Sequence, residues 1–216
     1  MRILGLDAAF ATCSVAVSEQ GRVCAERSAA PARGQSAVLA TLLAETLAAA
    51  PGRIDLVAVM IGPGGFTGLR AAIALAQGFA LGHGATLTGV TLAETLAEAL
   101  PAPPEMGAFW VALPHRLGGV LLDGLDGTRG IFALAALPTP PGDITLAGEA
   151  AALVAEQLAA RGIEVRQTEL RCEPAARLVA AAAARRLAAG LPPRAAQPVY
   201  AEPPAAIAAT LRPPPA

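Results

Sequence analysis

Apolar and polar positions along the first hundred residues follow the pattern of an α/β domain. A short unbroken apolar run at 56–61 is typical of a strand covered on both faces. Between Gln35 and Ala50 the apolar residues fall on one helical stripe, which Pro51-Gly52 ends. The predicted elements of this half are strands over 2–8, 12–18, 22–27, 56–61 and 86–90 and helices over 35–50, 67–82 and 92–100.

A glycine-rich turn joins the apolar run to the helix over 67–82. Its residues are Gly62, Pro63, Gly64, Gly65, Phe66, Thr67 and Gly68, followed by Leu69 and Arg70. Such a turn can aim backbone N–H groups at an anion, or it can let two elements pack closely because glycine has no Cβ. Glycine-rich turns alone are weak indicators of phosphate binding, so the pattern favours close packing.

The second half has a weaker pattern. Pro101-Ala102-Pro103-Pro104 reads as a linker, and beyond it we expect strands over 108–113, 120–123, 130–136 and 163–167 and helices over 147–161 and 174–189. Prolines crowd the end of the chain, which predicts an extended or disordered tail. The sequence therefore predicts three segments: an N-terminal lobe at 1–100, a smaller C-terminal α/β lobe at 105–190 and a proline-rich tail at 191–216.

Charge and composition exclude several classes of protein. The 16 basic residues are all arginine, so a lysine-based phosphate loop and a Schiff-base lysine are excluded. The net charge is −1, which disfavours a protein that binds RNA by itself. Three scattered cysteines and two isolated histidines, His83 and His115, suggest neither a disulfide framework nor a metal site. No segment has membrane character, so we expect a cytoplasmic protein.

Four stretches together resemble the TsaB family. They are Arg2 to Asp7, Cys13 to Val17, Gly62 to Arg70, and Pro198-Val199-Tyr200. The resemblance is clear over residues 1–100 and thin beyond. It implies an actin-like fold of the sugar kinase and Hsp70 type, with two related lobes of mixed sheets flanked by helices.

The resemblance also implies a function. Members of the family are non-catalytic partner subunits of the complex that forms N6-threonylcarbamoyladenosine in tRNA. We therefore expect a chain without cofactor, metal or catalytic residue that binds a TsaD-like catalytic subunit, is joined by a TsaE-like ATPase, meets tRNA only indirectly and forms a homodimer when alone. The helices over 35–50 and 67–82 would supply the partner interface, through Val38, Leu39, Leu42, Leu69, Arg70, Ile73, Ala76 and Gln77.

Some interpretations stay open at this stage. Asp7 and Thr12 mark the place of a vestigial nucleotide site, but the intervening residues offer no side-chain donor, so a carboxylate that caps its own turn is favoured. Arg70 is either a phosphate ligand or a partner of Asp7 or of loop carbonyls. The alternatives for the whole chain are a glycoprotease-like metallohydrolase and a stand-alone actin-fold nucleotide-binding protein.

Overall fold

The computed structural model describes residues 1–30, 34–102, 104, 109–115, 118–173 and 175–201, and leaves out the side chains of Gln35 and Ser36. Residues 202–216 of the predicted tail therefore lie outside the described residues. The strands are β1 (Arg2–Asp7), β2 (Cys13–Glu19), β3 (Arg22–Ala29), β4 (Leu56–Gly62), β5 (Thr86–Thr91), β6 (Phe109–Pro114), β7 (Val120–Gly124), β8 (Arg129–Phe132), β9 (Ile144–Ala147) and β10 (Val165–Gln167). The helices are α1 (Gln35–Ala49), α2 (Phe66–His83), α3 (Leu92–Ala97), α4 (Ala151–Ala159) and α5 (Ala176–Ala188), with a 3₁₀ turn at Leu134–Ala136.

The described strands form two mixed sheets of five strands each. The first has the order β3-β2-β1-β4-β5 and the second the order β10-β9-β6-β7-β8. In the first sheet β1 runs antiparallel to β2 and parallel to β4, with Leu4 opposite Val57. Parallel pairing requires a crossover, and α1 and α2 provide the crossovers into β4 and β5.

Alternation along β4 divides the core. Val57, Val59 and Ile61 face α1 and α2, whereas Leu56, Ala58 and Met60 face α3 and α5. Strand β6 alternates in the same way, because Phe109 and Val111 join the α3–α5 layer while Trp110 and Ala112 face α4. The layers therefore run from α1 and α2 through the first sheet, α3 and α5, and the second sheet to α4.

Helix α5 links the two lobes. It lies within the predicted segment 105–190, yet it packs on β1, β2 and β4 of the first sheet. Gly5 on β1 makes this possible, since a Cβ there would run into the carbonyl oxygen of Ala176. Ser14 then receives the backbone N–H of Ala176 at 2.9 Å, which caps the start of α5.

The second half differs from the prediction in two places. Ala147, predicted to begin a helix, ends the unpredicted strand β9, and α4 starts only at Ala151. The predicted strand over 130–136 is divided into β8 and the 3₁₀ turn. Gly148, with a φ of 93°, separates β9 from α4, and this break is too short to stand out in an alanine-rich run.

Candidate protein–protein interface

Helix α2 turns one face to its own sheet. Leu69, Ile73 and Ala76 of α2 are buried, as are Leu39 and Leu42 of α1. All except Leu69 belong to the core cluster between the helices and the first sheet, and Leu69 faces the α3–α5 layer. In the folded chain these five side chains are buried, with at most 7% of their surface exposed, so they offer little area to a partner and their role at an interface stays a prediction.

The remaining predicted interface residues are more accessible. Val38 is half-buried and packs against the core, whereas Arg70 and Gln77 are exposed. Charging Ile73 or Leu42 would therefore disturb the core rather than remove a surface contact. The apolar content of α1 and α2 signalled burial correctly, but it did not show which face was buried.

An exposed stripe runs along the outer face of α2. Its residues, called the outer stripe below, are Phe66, Arg70, Ala74, Gln77, Gly78 and Leu81. Phe66 is 51% exposed and Leu81 is 88% exposed. At 1.5 Å per residue the stripe is about 22 Å long. Large apolar groups at both ends with small residues between them make a surface that another helix can approach closely.

Helix α1 extends this surface, because it contacts α2 on the same face of the first sheet. Its exposed positions include Ala37, Ala40, Ala44 and Ala48, with Glu45 as the acidic residue among them. The two helices thus present a surface rich in small side chains, with Arg70, Gln77 and Glu45 as its long polar residues.

The chain end returns to this surface. Residues 194–200, called the C-terminal strap below, run along β4, β5 and α2. Gly89 N–H donates to the Arg194 carbonyl at 2.9 Å, and Val199 N–H donates to the Ile61 carbonyl at 2.8 Å. Gln77 Nε2 donates to the Ala196 carbonyl at 3.0 Å, so a predicted interface residue holds the strap.

The strap brings Tyr200 to the start of the outer stripe. The Tyr200 and Phe66 rings stack with centroids 5.7 Å apart. Arg70 Nε donates to the Tyr200 hydroxyl at 2.9 Å, and the guanidinium carbon lies 3.8 Å from the centre of the Phe66 ring. The sequence had suggested Asp7 or a loop carbonyl as the partner of Arg70. Among the described residues Arg70 instead pairs with Tyr200, which is distant from it in the sequence.

The glycine turn makes close packing contacts. A Cβ on Gly64 would lie 2.8 Å from the Ala9 carbonyl oxygen, and Gly65 N–H donates to that oxygen at 2.7 Å. Gly62 has a φ of 111°, and a Cβ there would lie 2.7 Å from the Val199 carbonyl oxygen. The turn thus receives the Ala9 loop on one side and the C-terminal strap on the other, which supports the close-packing interpretation.

Asp7 is completely buried at the end of β1. One of its carboxylate oxygens accepts the Ala9 N–H at 3.0 Å, as the turn-capping interpretation predicted, and the other has no partner among the described residues. Burial raises the pKa of Asp7 to about 7, against the smaller lowering effect of the Ala9 hydrogen bond. Thr12 lines a neighbouring cavity whose wall also carries Glu26, Glu173 and Arg177. Arg177 is paired with Glu26 at 3.2 Å, so the two carboxylates outnumber the one cation there and disfavour a phosphate group.

A buried polar network joins the lobes, and sequence reasoning missed it. Asp123 on β7 accepts the Ala93 N–H at 2.7 Å and a hydrogen bond from Arg129 at 2.6 Å. Burial raises the pKa of Asp123 to about 6 even though Arg129 opposes the shift. Glu94 forms ion pairs with Arg194 at 2.5 Å and with Arg186 at 2.6 Å. Burial acts to raise the pKa of Glu94, but the Arg194 hydrogen bond and the other contacts of Glu94 hold that pKa below its usual range. These residues are distant in the sequence, so no local pattern connected them.

His83 stacks on Phe79 with centroids 4.0 Å apart. Over the described ranges, no group of three or more histidine, cysteine, aspartate or glutamate residues is arranged to hold a metal ion. In the same part of the chain, no helix has both the length and the apolar character needed to cross a membrane.

Comparison with curated proteins gives a significant match. The chain is 36% identical over 122 residues to the tRNA threonylcarbamoyladenosine biosynthesis protein TsaB of Escherichia coli strain K12. The predicted resemblance to TsaB is confirmed. The match covers 56% of this chain and 53% of TsaB, so the chain spans about half the length of the curated relative that it matches.

A family model and solved structures agree with this result. The model described as TsaD, tRNA N6-adenosine threonylcarbamoyltransferase, matches residues 30–111. YeaZ from Pseudomonas aeruginosa superimposes with a TM-score of 0.68 at 23% identity, covering 92% of this chain and 99% of YeaZ. A second Pseudomonas aeruginosa structure, described as similar to the peptidase YeaZ, gives a TM-score of 0.71 at 23% identity, covering 93% and 99% of the two chains.

The fold reaches beyond the relatives of TsaB. A ROK family protein from Streptococcus pneumoniae, solved in complex with sucrose, matches with a TM-score of 0.52 at 12% identity, over 88% of this chain and 99% of that one. The predicted fold class, an actin-like arrangement of two mixed sheets flanked by helices, is confirmed.

Proposed function

We propose that this chain is a non-catalytic partner subunit of the complex that forms N6-threonylcarbamoyladenosine in tRNA. The observation that carries the proposal is the 36% identity to TsaB, whose printed name places that protein in this biosynthesis. The chain would act in the cytoplasm, without a cofactor, by binding and supporting a TsaD-like catalytic subunit.

The outer face of α1 and α2 is the proposed binding surface. Exposed Phe66 and Leu81 supply apolar anchors, and the alanines between them permit close approach of a partner's helices. Of the interface residues expected from the sequence, the proposal keeps Arg70 and Gln77, with Val38 at the margin. The isolated chain would form a homodimer through the same face, since an uncovered apolar surface favours self-association.

The other partners follow from the same proposal. A TsaE-like ATPase would join the assembled pair. The tRNA would be held by the other subunits, because a net charge of −1 gives this chain no overall excess of cations for RNA binding. Asp7 and Thr12 would then be remnants of a nucleotide site rather than ligands.

The decisive experiment measures binding of the purified chain to the TsaD-like protein encoded in the same genome. We expect a complex at micromolar concentration, and Ala74→Arg in the outer stripe to weaken it about 10-fold or more through steric and charge conflict. Ala152→Arg is the matched control, because Ala152 is an exposed helical alanine on α4, at the opposite end of the layers. Failure of the unaltered chain to bind, or equal effects of the two variants, would contradict the proposal.

A further inference from the structure

The guanidinium group of Arg70 is held in place, but only one of its nitrogens donates a hydrogen bond to a described residue. Its Nε atom donates to the Tyr200 hydroxyl, and its plane lies against Phe66. Neither terminal nitrogen, Nη1 or Nη2, makes a hydrogen bond or ion pair with any other described residue. The group is exposed at the surface, so its two outer N–H edges face solvent.

This arrangement fixes the direction of the guanidinium fork. A free arginine side chain samples many rotamers, and ordering it on binding costs free energy. Stacking on Phe66 and the Tyr200 hydrogen bond impose that order before a partner arrives. Arginine held against aromatic rings is also the composition found at the energetic centres of protein interfaces.

The charges around Arg70 indicate what it binds. Helix α2 carries no acidic residue, and its only other titratable side chain is His83 at the far end. A planar fork with two free N–H edges matches the two oxygens of a carboxylate. A single cation amid apolar and small residues suits a protein surface better than nucleic acid, which several cations must contact.

We infer that Arg70, positioned by Phe66 and Tyr200, is the receptor for a carboxylate group on the partner subunit, bound through Nη1 and Nη2. The inference rests on the proposed function and deepens it by naming the chemistry of the partner's contact. Tyr200 acts as a positioning residue, so the C-terminal strap belongs to the binding surface although it lies far away in the sequence.

The test measures affinity for the TsaD-like protein by isothermal titration, at low and high salt. We expect Arg70→Gln to weaken binding about 30-fold or more and to flatten the salt dependence, because a desolvated charge pair is lost. Arg70→Lys should remain about 10-fold weak, since an ammonium cannot present a fork. Arg166→Gln removes the same charge from an exposed site on β10 and should change affinity less than about 2-fold.

A second pair of variants tests the positioning. Tyr200→Phe keeps the ring and removes the acceptor of Nε, so we expect about 3- to 10-fold weaker binding with an unchanged melting temperature. Glu202→Gln removes the acidic residue that follows Tyr200 by two positions in the sequence, and should leave affinity unchanged.

The outcomes separate the inference from the proposed function. If the unaltered chain fails to bind the TsaD-like protein, both fall. If it binds, the inference alone is overturned by wild-type affinity in Arg70→Gln or Arg70→Lys, or by a loss in Glu202→Gln equal to that in Arg70→Gln. It is also overturned if Arg70→Gln abolishes only self-association or only binding of free tRNA.

Discussion

Asp7 makes the folding stability depend on pH in a direction that can be measured. Its carboxyl group is fully buried with one unpartnered oxygen, and burial raises its pKa from 3.8 to about 7. An acid whose pKa is raised by folding stabilises the protein fully below the unfolded pKa and loses that contribution as the pH rises through the folded pKa. Stability should therefore fall between about pH 4 and pH 7 on account of this group.

The size of the effect follows from the two pKa values. At about 1.4 kcal/mol per pH unit, the change from 3.8 to about 7 corresponds to about 4 kcal/mol. Local relaxation that admits water to the carboxylate lowers this figure, so we expect about 2–4 kcal/mol. Asp7→Asn removes the titration, and the unfolding free energy of the variant minus that of the wild type should grow by this amount from about pH 4 to pH 8.

Urea unfolding at about pH 4, 5, 6, 7 and 8 measures this difference. Trp110 is the single tryptophan and is fully buried in the second sheet, so its fluorescence reports on one lobe while circular dichroism reports on the whole chain. An asparagine amide that lacks a partner adds a constant cost at every pH, so the slope rather than the offset carries the test. The exposed Asp143 supplies the control variant Asp143→Asn. A difference between Asp7→Asn and wild type that stays constant with pH would refute the reasoning.

Three further predictions concern packing, thiols and the polar network. Gly5→Ala should lower the unfolding free energy by about 3 kcal/mol, because the new Cβ meets the backbone of α5. Gly78→Ala, at an open helical position, should raise the unfolding free energy by about 1 kcal/mol, and urea unfolding compares the two variants. Under native conditions at about pH 8, a thiol reagent should modify the exposed Cys24 and spare Cys172, whose pKa is raised by burial and then by nearby carboxylates; reaction of Cys172 before Cys24 would contradict this. Glu94→Gln should lower the unfolding free energy by about 2–3 kcal/mol at neutral pH, because two ion pairs are lost. This difference from wild type should disappear as the pH falls below 4.5, and unfolding measured at neutral and acidic pH will show it.

Local sequence patterns predicted most of the first lobe. The apolar run that became β4, and the glycine turn that leads into α2, were both visible because strand alternation and glycine turns act over a few residues. Strand β9 escaped prediction, since it is only four residues long and an alanine-rich helix begins shortly after it. The packing of α5 on β1 was equally hidden, because nothing near α5 in the sequence indicates it.

The candidate site was predicted as a pair of helices but not as a set of residues. Helix α2 carries leucine, isoleucine or alanine on nearly every side, so its pattern does not show that Ile73 faces inward and Ala74 outward. The stack of Phe66, Arg70 and Tyr200 depends on a chain return that only tertiary structure reveals. Tyr200 was recognisable as part of a family motif, but its spacing gave no hint of its neighbour.

The chain return at Tyr200 has a consequence for the order of synthesis. Arg70 and Tyr200 are separated by 130 positions, and α5, which covers β1, is also made late. At roughly 5–20 residues per second, a ribosome needs roughly 7–26 s to travel from one to the other. During that interval α2 is already made while the strap that orders its arginine is not, so a chain that stops before Tyr200 presents Arg70 without its hydrogen-bond acceptor. Under the proposed function, the subunit would therefore reach its full affinity for the partner only after residues 194–200 have been made and have packed on α2.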